Sequence, residues 1–137
     1  MKLRLLLPLA VVAATAACPR PLATPPSVHA AAGQEFALAP GQTAAIEGEP
    51  LSVAFLRVAE DSRCPRDVVC IRAGEAEVEL ELRIAPDRVE NAVLNTTEEP
   101  RSTSFGPYTV HLVRLDPVPA QSGPPPRYVA TLRVDKR

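Results

Sequence analysis

Residues 75–84 read Glu75-Ala76-Glu77-Val78-Glu79-Leu80-Glu81-Leu82-Arg83-Ile84, and every second side chain is apolar. Ala76, Val78, Leu80, Leu82 and Ile84 share one face of an extended chain; Glu75, Glu77, Glu79, Glu81 and Arg83 share the other. A period of two is that of a strand with one buried and one wetted face, and it favours an antiparallel sheet over a parallel sheet covered on both sides. A helix is excluded, because a 3.6-residue period would scatter the glutamates around its axis. Carboxylates two residues apart stand about 7 Å from each other along a strand and repel unless neighbouring strands supply cations. Arg57, Arg114, Arg127 and Arg133 are available for that role, at about 0.2–1 kcal/mol per cross-strand pair. The row is therefore read as a solvated sheet face, in preference to an acidic strip for cations or a basic partner.

Outward from this strand, turn signals recur at the short spacing of an all-β chain. Pro40-Gly41, Gly48-Glu49-Pro50, Pro86-Asp87, Gly106-Pro107 and residues 123–126 punctuate candidate strands at 34–39, 42–47, 51–59, 75–85, 89–95, 107–115 and 127–135. Phe36 and Leu38, Ala44 and Ile46, and the set Tyr128, Ala130, Leu132 and Val134 supply inner faces. Seven short strands in about a hundred residues predict a single antiparallel β-sandwich over residues 34–137, with a small barrel as the alternative.

The amino-terminal third is different in kind. Lys2 and Arg4 precede an uncharged run, 5–17, that ends in small residues and is too short for a stop-transfer helix; residues 1–17 read as a signal peptide. Ala16-Ala17-Cys18 resembles the bacterial lipobox, whose cysteine is acylated, palmitate included, and becomes the mature terminus; the stretch departs from that pattern at Thr15, where Leu is usual. Val28-His29-Ala30 before Ala31 offers a competing, ordinary cleavage site that would release a soluble secreted or periplasmic protein. Residues 18–33, with Pro19, Pro21, Pro25 and Pro26, read as a Pro/Ala-rich tether. Loss of residues 1–17 leaves 13 basic against 16 acidic residues, a formal charge of −3. That balance offers no basic stripe for nucleic acid.

Lipidation of Cys18 leaves Cys64 and Cys70 as a pair in an oxidising compartment. A ring this short contributes roughly 2–2.5 kcal/mol by the loop-entropy estimate, so its main effect is on loop shape, and the loop is expected to be mechanically separate from the core. The spacing suits no zinc site. The run Glu60-Asp61-Ser62-Arg63-Cys64-Pro65, continuing to Cys70-Ile71-Arg72-Ala73-Gly74, resembles a broad group of uncharacterised small bacterial secreted proteins and lipoproteins. In that group Asp-Ser-Arg-Cys-Pro, a second Cys and an Ala-Gly precede a strand. The resemblance covers about 25 residues strongly and extends weakly to 108–119; it departs at Arg72, where the pattern carries an aromatic. It implies an envelope location and a disulfide, and nothing catalytic.

No nucleophile elbow, His-Glu-x-x-His helix or phosphate-binding glycine loop is present, so the sequence implies no cofactor and no metal. His111 falls inside a strand and is read as a sheet residue. Asp61, Ser62 and Asp67 are read as closing turns onto backbone amides. The sequence thus predicts a lipid-anchored envelope module that binds a ligand or an envelope protein without turnover. The alternatives are a protease inhibitor presenting the Cys64–Cys70 ring, with Arg66 offered to an acidic specificity pocket, and a hydrolase built on His111. Asp61, Arg63, Arg66, Asp67 and Arg72 form the candidate partner-binding loop.

Overall fold

A computed structural model describes residues 27–137, and the signal peptide, Cys18 and the tether up to residue 26 lie outside the described residues. The nine strands are β1 (Ser27–Ala30), β2 (Glu35–Leu38), β3 (Thr43–Ile46), β4 (Leu51–Asp61), β5 (Ala76–Ile84), β6 (Arg88–Asn95), β7 (Ser102–Phe105), β8 (Tyr108–Asp116) and β9 (Val129–Lys136). They form two sheets, ordered β1-β3-β4-β5-β6 and β2-β9-β8-β7, and the described residues contain no helix. The chain is an all-β sandwich, mostly antiparallel, with one parallel pair between β1 and β3.

The alternation of residues 75–84 becomes the inner and outer faces of β5, an interior strand paired with β4 on one side and β6 on the other. Ala76, Val78, Leu80 and Leu82 are fully buried and meet Val53 and Phe55 of β4 and Leu94 of β6, opposite Leu112, Leu132 and Val134 from the second sheet. Each such side chain contributes about 1.5–3 kcal/mol through its removal from water, which is why the inner face tolerates no slip of register.

Two strands exceed the seven read from sequence. β7, Ser-Thr-Ser-Phe, carries a single core residue, Phe105, among hydroxyl side chains, and is ordered by a two-residue hairpin through Gly106 and Pro107 to β8. Gly106 takes φ of 60° at the first turn position, the place where such hairpins require glycine. β1 lies inside the stretch assigned to the tether, so residues 27–30 belong to the sandwich, and residues 18–26 of that reading lie outside the described residues. Val28 packs on the core and Ala30 is buried in it, while Glu47 N–H donates to Ala30 O at 2.9 Å.

Glu77, Glu79 and Glu81 lie half-exposed on the outer face with one cross-strand cation, whereas Glu75 Oε2 is buried without a hydrogen-bond partner among the described residues. Arg57 on β4 donates twice to Glu79, at 2.8 and 2.7 Å, and Glu81 is met by Arg83 of its own strand. Arg114 and Arg133 belong to β8 and β9 in the other sheet, and Arg127 precedes β9, so none of the three serves the row as anticipated.

Candidate functional site

Two bulges in β4 decide what happens at one end of the sandwich. Leu56 and Ala59 are each inserted against β5, between Phe55 and Arg57 and between Val58 and Glu60. Each insertion flips the strand's phase, and the two flips cancel, so that Asp61 faces inward as Leu51, Val53 and Phe55 do, with its register shifted to the fully buried Ala76. A carboxylate is thereby aimed between the sheets. It is met there by Arg63, whose Nε donates to Asp61 Oδ1 at 2.9 Å and Nη2 to Oδ2 at 2.7 Å, while Tyr128 Oη donates to Oδ2 at 2.9 Å. The guanidinium spends its other donors on the second sheet's exit, Leu115 O at 2.6 Å and Pro117 O at 3.0 Å. The Asp61 and Arg63 side chains are only 8 % and 10 % exposed.

This strut corrects the expectation of a mechanically separate loop. Arg63 ties the start of the ring to the end of β8, Arg66 N–H donates to Pro119 O at 3.0 Å, and Asp67 accepts from Gln121 N–H at 2.8 Å. The ring thus leans on residues 117–128. Its base is closed by Ser62 N–H to Glu75 O and Cys64 N–H to Ala73 O, each at 2.7 Å. Gly74 is required at this closure: its φ is +66°, and a β-carbon there would lie 1.9 Å from Ser62 O. Cys64 and Cys70 are bonded, with α-carbons 5.8 Å apart, within the ordinary range for a disulfide. Asp61 Oδ1 also accepts from Arg63 N–H at 3.2 Å, the turn expected of it.

Burial pushes the Asp61 carboxyl toward a higher pKa, but hydrogen bonds from Arg63 and Tyr128 outweigh that effect and the net direction is down. The Arg63 guanidinium is moved up by its hydrogen bond to Asp61, and the Tyr128 phenol is moved up by burial and by the same carboxylate.

The five loop residues singled out from sequence thus divide. Asp61 and Arg63 are consumed in the strut, Asp67 in bracing, and Arg66 and Arg72 remain at the surface without an ion pair among the described residues. What the reading missed is Val69 and Ile71, which flank Cys70 and are fully exposed, at 102 % and 105 %. Val69 is the last residue inside the ring before Cys70, and Ile71 is the first beyond it. Beside the ring a groove of about 590 Å³ runs between Arg66 and the Pro124-Pro125-Pro126 segment, closed at its far side by Arg127.

His111 lies on the outer face of β8, level with Ser102 of β7 and Arg133 of β9. Its Nε2 is 3.1 Å from Asp135 Oδ2, and the same oxygen accepts from Arg133. No hydrogen bond joins Ser102 to His111 among the described residues, so the group is a cross-strand charge ladder without a relay to a nucleophile. Among the described residues no three of His, Cys, Asp and Glu converge as metal ligands.

The fold and this end of it define a class: a β-sandwich whose one end is clamped by a disulfide ring and a buried Asp–Arg strut. Comparison with protein-family models, curated proteins and solved structures finds no match to this chain.

Proposed function

We propose that the protein is a lipid-anchored module of the bacterial cell envelope, held through Cys18, whose clamped loop end is a binding surface and which carries out no turnover. The observation that carries the reading is β1. Cleavage before Ala31 would cut away a strand that pairs along its whole length with β3 and places Ala30 in the core, whereas processing at Cys18 leaves the sandwich intact and nine residues as a tether. The binding role is supported by the braced ring, which has little conformational entropy left to lose on contact. The inhibitor alternative has less support, because Arg66 is drawn by its backbone toward Pro119 and the ring projects Val69 and Ile71 instead. The hydrolase alternative has less still, because His111 Nε2 faces Asp135 Oδ2, which Arg133 also holds, and no nucleophile joins them among the described residues.

The test is Cys18→Ser. The parent is expected to incorporate a fatty-acid analogue and to stay with membranes through a salt wash, since each buried methylene contributes about 0.8 kcal/mol; the variant is expected to incorporate none and to become soluble. A wild-type protein that is soluble and begins at Ala31 overturns the anchor.

A further inference from the structure

The ring's apolar tip and the direction in which the chain enters the fold have a joint consequence. Val69 and Ile71 are fully exposed on a segment whose flanks are fixed by the disulfide, by the Cys64 to Ala73 backbone hydrogen bond and by the Arg63 strut. Arg66 and Arg72 bracket them in sequence and are exposed. Arg127 lies across the groove from Arg66, and Val118 on the same segment is also exposed. The acidic side chains near this end are Asp67, held on Gln121 N–H, the exposed Glu60, and Glu75 and Glu98 beside Arg72. An exposed aliphatic pair flanked in sequence by two arginines without ion pairs among the described residues fits a surface that is apolar within and anionic at its face.

The strand register gives the tip its orientation. β4 runs toward the ring, β3 is antiparallel to it and β1 is parallel to β3, with Ser27 level with Thr43 and Ala54. Residue 26 therefore leaves the sheet heading toward the ring's end of the sandwich. From the level of Ala54 to that of Asp61 the sheet advances about 17 Å, the five steps from Glu81 to Ala76 on β5, and the nine residues 18–26 span at most about 30 Å. The tether can bring Cys18 level with the ring and little beyond it, so the membrane that holds Cys18 lies against this end.

We propose that the Val69–Cys70–Ile71 tip docks into the anionic lipid surface that holds Cys18, with Arg66 and Arg72 at the headgroups; this rests on the anchor reading above. The docked domain stands end-on, its strands steep to the bilayer, with the Glu49–Tyr108–Lys136 end outermost. Two basic side chains at an anionic surface raise the ratio of docked to undocked domain by roughly 10- to 30-fold.

The chain contains no tryptophan, which supplies the probe. Acylated full-length protein carrying Ile71→Trp, and separately Asp87→Trp in the turn between β5 and β6 at the opposite end, is placed in vesicles of phosphatidylcholine with phosphatidylglycerol and brominated acyl chains. Both sites are exposed, so folding is not at stake. The Ile71 reporter is expected to be blue-shifted and quenched and the Asp87 reporter neither; Arg66→Gln with Arg72→Gln, or pure phosphatidylcholine, should lower the docked ratio by the factor above. Equal behaviour of the two reporters in protein shown to be acylated overturns the docking and leaves the anchor standing. Absence of acylation at Cys18 overturns both. Shielding of the Ile71 reporter that requires added envelope protein, with lipid alone ineffective, overturns the docking in favour of a protein partner.

Discussion

Asp61 shows how one carboxylate can be indispensable to a loop without belonging to its working surface. It is nearly enclosed and meets two donors from Arg63 and one from Tyr128, and breaking a buried pair from one side costs more than removing both partners. Arg63→Met is expected to lower unfolding free energy by about 3–5 kcal/mol, and the double variant Asp61→Leu/Arg63→Met by less, both read from urea denaturation midpoints. A double variant as damaged as the single would show that the two side chains are not coupled. Because the folded-state pKa of Asp61 is depressed, its contribution is present above the unfolded carboxyl value near about pH 4 and is lost as pH falls through the lower folded value. Stability measured against pH should therefore fall on the acid side in the parent, and Asp61→Asn should flatten that limb. Gly74→Ala is expected to be among the costliest single changes in the loop, about 1–3 kcal/mol from the backbone conformation alone, with the collision against Ser62 O added.

At the level of elements, β5 and the ring should fail separately. Leu80→Ala removes a fully buried side chain from the central strand and is expected to cost about 2–5 kcal/mol. Reduction of Cys64–Cys70 should cost roughly 2 kcal/mol, and, because Arg63 and Asp67 still tie the loop to residues 115–121, it should leave Ser62 and Cys64 amides protected in hydrogen exchange while Val69 and Ile71 exchange freely. The strands that announce themselves in the sequence are those with regular alternation, β5, β8 and β9, and their inner residues are found inside. β1 is illegible because it follows directly on the Pro/Ala-rich run without a turn signal before it, and β7 because Ser102-Thr103-Ser104-Phe105 offers one apolar side chain, whereas β2 and β3, equally short, carry two alternating inner residues each. The strut is illegible for another reason: Asp61 and Tyr128 are 67 positions apart, and the two bulges that set Asp61 opposite Ala76 leave no mark in composition.

For the molecule as a whole the edge strand β1 matters more than its length suggests. A chain that begins at Ala31 lacks the partner of β3, leaves the hydrogen-bonding edge of Thr43–Ile46 open and loses the packing of Val28 and Ala30. It is expected to lose about 2–4 kcal/mol, given about 1 kcal/mol for each hydrogen bond and additional apolar burial. It should also associate through the exposed edge, as a larger species in size-exclusion chromatography; a monomer as stable as the longer chain would show β1 to be dispensable. The parallel pairing of β1 with β3 has a mechanical side as well. Tension applied at Ser27 along the axis of β1 slides the strand lengthwise past β3, and the four paired positions from Ser27 to Ala30 resist together, like rivets in a lap joint. The same strand reversed would be peeled open one bond after another.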